Sequence, residues 1–90
     1  MQSNLKELIH DLLTRNIVGA KHIPEDRIII PRIKRLPRQE QRQFYEEYEM
    51  LVRRDLLIRL KKKTGKGDDW HISINPEHIG EAYELIEEKI

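Results

Sequence analysis

The sequence predicts a mainly α-helical domain with a small β-hairpin, an α+β chain with a three-helix core, two paired strands and an extra C-terminal helix. Three observations carry that expectation. Apolar residues recur at helical spacing in several separate segments. After Arg54 the repeat shortens abruptly to two residues. A charged, glycine-punctuated stretch then separates two alternating runs, which is the pattern of a hairpin loop. Ninety residues make one domain, 1–90. A chain of this length can bury roughly 60–65% of its unfolded surface, enough for one modest core.

The first helix is expected over residues 4–17. Leu5, Leu8, Ile9, Leu12 and Leu13 form one apolar face. Asn4 is placed to cap it, with Glu7 three residues on completing a box-like pair. Asn16 and Gly19 both suit its end. A connector follows, with room for one short strand around His22. Pro24 suits the start of a second helix, 24–36, and Glu25 and Asp26 suit its positive end. Ile28, Ile29, Ile30, Ile33 and Leu36 would supply its buried side. Pro31 removes a hydrogen bond and crowds the preceding turn, so this helix is expected to kink or break there; a strand at 27–30 is the competing reading.

A third helix is expected over 37–54, with Phe44, Tyr48, Leu51 and Val52 on one face. The hairpin spans 56–74. Leu56, Ile58 and Leu60 alternate with Leu57, Arg59 and Lys61, and Trp70, Ile72 and Ile74 alternate with His71, Ser73 and Asn75. A last helix, 76–89, starts at Pro76 with Asn75 as its cap. Ile79, Ala82, Tyr83 and Ile86 form its stripe, widened by Leu85 and Ile90.

Composition narrows the function. The chain has no cysteine, so it holds no disulfide and no thiolate metal site; this fits a cytoplasmic location. No apolar run approaches the ~20 residues of a membrane span, and the N-terminus lacks the pattern of an export signal. Ser3 and Ser73 are the only serines, and neither sits in a nucleophile-elbow context. His10, His22, His71 and His78 show no paired ligand spacing. Asp68, Asp69 and His71 cluster at the hairpin but offer too few fixed metal ligands. The TGKG run at 64–67 lacks phosphate-loop spacing and lies between strands. The expectation is therefore no catalysis, no metal and no cofactor.

Net charge is only +1, yet it is unevenly spread. Residues 1–71 hold 16 Lys/Arg against 11 Asp/Glu, whereas residues 72–90 hold one Lys against five Glu. Such asymmetry reads either as a surface facing phosphate, with another face turned away, or as the clustering that any chain with 37% charged residues shows. Arg32, Lys34, Arg35 and Arg38 form a cationic segment with no intervening carboxylate, which reads either as a phosphate contact or as a solvated loop.

Leu51, Asp55, Leu56 and Leu57 follow a leucine–x–x–x–glycine–leucine–hydrophobic pattern, with Asp55 in the glycine position. Ser73, Ile74, Asn75 and Pro76 match a serine/isoleucine–asparagine–proline strand end. With the helix–hairpin order, these residues resemble the winged helix-turn-helix superfamily, and more narrowly its small archaeal members. The resemblance covers most of the chain in element order. It implies a two-stranded wing at 56–74 and a recognition helix at 37–54.

A helix of that length, about 25 Å at ~1.5 Å per residue, can lie in a major groove. The resemblance thus implies double-stranded DNA as partner and a small transcriptional regulator as function. Arg38, Gln39, Gln41, Arg42 and Gln43 would face the groove, Arg32, Lys34 and Arg35 the approach to it, and Lys61, Lys62, Lys63 and Lys66 the backbone. Homodimerisation through helices 4–17 and 76–89 is part of the same layout. Against it stand Glu46, Glu47 and Glu49 in the third helix. They favour an alternative, a winged-helix protein–protein interaction module within a larger assembly, with Tyr45 or Tyr83 as contacts.

Overall fold

The computed structural model describes residues 1–65 and 67–87. It is an α+β fold of four α-helices and one antiparallel sheet. Helix α1, Ser3–Thr14, buries Leu5, Leu8, Ile9, Leu12 and Leu13. Its cap is Gln2, not Asn4: the Gln2 side chain accepts a hydrogen bond from the Leu5 amide at 3.1 Å, and Asn4 lies inside the first turn. The helix ends in a reversal at Asn16, φ 54. There the Asn16 amide donates to Leu13 and the Ile17 amide to Leu12, which satisfies two orphan carbonyls and turns Ile17 into the core.

Strand β1 is only Ile23–Pro24, and helix α2 follows at once, Glu25–Ile33. Pro31 lies inside α2 without ending it, so the expected break at Pro31 does not occur. Pro31 and Arg27, whose carbonyl loses its partner, are both exposed, so water can take the place of the missing amide. Ile28, Ile29 and Ile33 are buried, Leu36 partly so, but Ile30 points outward at 47% exposure. A helical period cannot turn four such closely spaced isoleucines to one side.

Helix α3, Arg38–Arg53, buries Phe44, Tyr48 and Leu51. It ends as α1 does. Asp55 takes φ 62, its amide donates to Val52 and the Leu56 amide donates to Leu51. Aspartate tolerates this left-handed conformation better than most residues, which lets it hold a glycine-like position.

Strands β2, Leu57–Thr64, and β3, Gly67–Ile74, form the hairpin. The sheet nevertheless has three strands, not two, in the order β1-β3-β2. Ile23 pairs with Ile72 and Pro24 with His71, so β3 is central. The core-facing phase of β2 begins at Leu57, opposite Ile74, while Ile58 and Leu60 on the other side are only partly covered. Leu56 is buried ahead of the strand, through the helix reversal.

A 3-10 turn at Pro76–His78, capped by Asn75, leads into α4, Ile79–Glu87. Ala82 of α4 is fully buried, Leu85 and Ile86 pack against the core from its edge, and Tyr83 is exposed. An Arg54–Glu81 ion pair ties α4 to the end of α3. Residues 88–90, including Ile90 and the end expected for the last helix, lie outside the described residues. Among the described residues no helix is long and apolar enough to cross a membrane.

Candidate nucleic-acid interface

The start of α3 presents two adjacent rows, Arg38 with Arg42 and Gln39 with Gln43, each at helical i, i+4 spacing. All four side chains are exposed. Gln41 does not join them. Its amide nitrogen donates to the carbonyls of Ile33 and Leu36, both at 3.0 Å. It therefore closes the end of α2 and fixes the α2–α3 turn, and its amide is committed before any base could use it.

Lys34 and Arg35 are exposed on that turn. Arg32 is not available with them. Its guanidinium lies 2.5 Å from Asp11 of α1, and its Nε is buried without a partner. The ion pair with Asp11 ties α2 to α1, which is a structural use of the residue.

Helix α3 carries four glutamates, and they separate: Glu40 is exposed in the first turn, beside Gln39. Glu47 turns inward and accepts from the Gln2 amide at 3.1 and 3.2 Å, fixing the chain ahead of α1. Glu46 and Glu49 stay on the outer side, and Glu49 lies 3.8 Å from Arg53. The exposed face of α3 thus carries Glu40 near its start and Glu46 and Glu49 in its later half.

On the hairpin, Lys61, Lys62 and Lys63 are exposed. In register, Lys62 stands opposite Asp69, which gives that lysine an acidic cross-strand neighbour. Lys66 lies outside the described residues.

A polar chain that local spacing could not reveal links hairpin and helices. The Tyr48 hydroxyl of α3 donates to Glu25 at 2.6 Å. Arg59 of β2 donates to the same carboxylate through Nε at 2.5 Å and Nη2 at 3.0 Å, the two-pronged geometry that makes Arg–carboxylate pairs specific. The Arg59 guanidinium lies 3.9 Å from the Trp70 ring centroid. Burial alone would raise the pKa of Glu25, but the hydrogen bonds from Arg59 and Tyr48 and the Arg59 charge outweigh it and hold the carboxylate below its ordinary value. Burial and the adjacent Glu25 push the Tyr48 hydroxyl well up, so it remains a donor. The hydrogen bond to Glu25 also raises Arg59.

On the opposite side of the sheet, Nδ1 of His22 and Nδ1 of His71 are 2.8 Å apart. One ring must donate and the other accept, so the pair cannot carry two charges and keep this bond. Burial, then the electrostatic influence of His22 and Lys62, lowers the pKa of His71. No group of three or more histidine, aspartate or glutamate residues able to hold a metal occurs among the described residues. Compared with family models, curated proteins and solved structures, the chain matches none.

Proposed function

We propose that the domain is a winged helix that binds double-stranded DNA, with α3 in the major groove and the β2–β3 hairpin along the backbone, acting as a small regulator. The observation that carries this reading is the exposed pair of rows, Arg38/Arg42 and Gln39/Gln43, at the start of a helix joined through one turn to a lysine-bearing hairpin. Arginine can pair with guanine and glutamine with adenine through two hydrogen bonds each. A 16-residue helix is about 24 Å long and fits the groove. The order helix, short strand, two helices, two strands also supports the assignment. Lys34 and Arg35 then flank the groove-reading residues, while Arg32 and Gln41 serve the scaffold.

Titration of labelled duplex at two salt concentrations tests it. Affinity should fall with salt by a log–log slope of roughly −0.9 per phosphate contact. Changing Lys61, Lys62 and Lys63 together to Gln should reduce that slope by roughly two to three and weaken all sequences alike. No duplex binding even at low salt rejects the reading.

The outward Glu46 and Glu49, with exposed Tyr45, Met50 and Tyr83, favour a second reading, a protein-interaction module. Its mark would be a stable protein complex insensitive to salt and free of nucleic acid.

A further inference from the structure

We infer that Trp70 is a stacking platform for an unpaired base, so that the domain prefers DNA in which a duplex adjoins unpaired nucleotides. The inference rests on the DNA reading above and narrows its substrate.

Trp70 is the chain's only tryptophan, and it lies on the cationic hairpin with 40% of its surface exposed. An indole this open is unusual for a residue on the core-facing side of a strand, where Ile72 and Ile74 are completely buried. It is nevertheless held in place. Arg59 lies across the ring at 3.9 Å, and Glu25 fixes Arg59 through two hydrogen bonds. The ring's orientation is therefore set before any ligand arrives, which reduces the entropy lost on binding.

Beside the indole a cleft opens between the hairpin and α2, walled by Pro24, Ile30 and Pro31. Ile30 is nearly half exposed there, although its neighbours Ile28 and Ile29 are buried. A ring, an isoleucine and two prolines form a slot for a flat group with apolar faces. Asp26, Arg27 and Asp69 also line the cleft; the two carboxylates can accept from base amino groups, and the Arg27 guanidinium can donate to base oxygens. Lys61 stands opposite Trp70 in the ladder, and Lys62 and Lys63 continue outward along the strand, where phosphates belong. Flat apolar faces with amino edges inside, and anions outside, describe a nucleotide rather than a peptide. A fully paired duplex keeps its bases stacked on one another and cannot offer one, whereas base–aromatic stacking is indifferent to base identity.

Tryptophan fluorescence and anisotropy of labelled DNA test this with the full chain. One DNA is fully paired, and the other is the same duplex with a short central run of mismatches. The mismatched DNA should bind roughly tenfold tighter, within what one stacked base contributes, and quench Trp70, while the paired DNA should bind with little quenching. Trp70→Ala should reduce the mismatched DNA to the affinity of the paired one and leave the paired one unchanged. Trp70→Phe, which keeps a ring and safeguards the fold, should retain part of the preference. Equal binding of the two DNAs by the wild type, or equal weakening of both by Trp70→Ala, overturns the inference and leaves duplex binding standing. Failure to bind either DNA overturns both.

Discussion

The hairpin has two ends that share one ladder and little else. At its root Leu57 pairs with Ile74, and both are almost wholly buried. At its tip Lys62 stands opposite Asp69, and both are exposed. The root holds its register because a slip of one residue would send its apolar side chains to the solvent. The tip inherits that register without contributing to it, so its residues can answer to a partner instead of to the core.

The sharpest way to break this contrast is mutation at each end. Leu57→Ala removes a buried side chain and should cost about 2–5 kcal/mol, read by urea unfolding. Lys62→Gln in the same assay should stay within about 0.5 kcal/mol of wild type. Similar losses at the two ends would abolish the distinction.

Between root and tip lies the Glu25–Arg59 tether, and an intermediate effect is expected there. Glu25→Gln keeps the shape but removes the charge that holds Arg59 and Tyr48. With a third of the Arg59 side chain exposed to solvent, the cost should be about 1–2 kcal/mol. The same change should loosen the indole, visible as a red-shifted Trp70 emission. An unshifted spectrum would show that the ring is oriented by packing alone.

Acidification should divide the sheet by face. The pKa of His71 is lowered in the folded state, so its contribution is full above the ordinary histidine value of 6.5 and declines as pH falls through it. His22, Lys62, Asp69 and Arg27 are the charged or titratable groups acting on it. The pKa of Glu25 is also lowered, so its contribution persists above the ordinary value of 4.5 and is lost only as pH drops through the folded value. Stability against pH should therefore fall in two steps. His71→Asn should remove the upper step and Glu25→Gln the lower; a single step in the wild type would contradict the assignment.

What could be read from the chain follows the range of the forces involved. Helix faces and the hairpin were legible because each depends on neighbours a few residues away. Asp55 stood in the glycine position of the family pattern, and the left-handed turn is found there. The tether was not: Glu25 and Arg59 are 34 positions apart, and Glu25 alone reads as an acid at a helix start. His22 and His71 are separated by 49 positions, so no ligand-like spacing announces them. Gln41 resembles its neighbours Gln39 and Gln43 in type, and only the placement of the preceding turn shows that its amide is occupied. Strand β1, at two residues, is too short to carry a period of its own. At Pro31 only the expected break fails, because its cost depends on whether the freed carbonyl meets water, a property of the assembled fold.

The placement of β3 at the centre of the sheet has a consequence for biosynthesis. Its two partners leave the ribosome first, and Ile23 must wait for Ile72. Joining ends so far apart in the chain is slow compared with forming a helix. A nascent chain stopped short of residue 67 would have helical segments but no ladder to close, and the surfaces destined to meet β3 would still be open to chaperones.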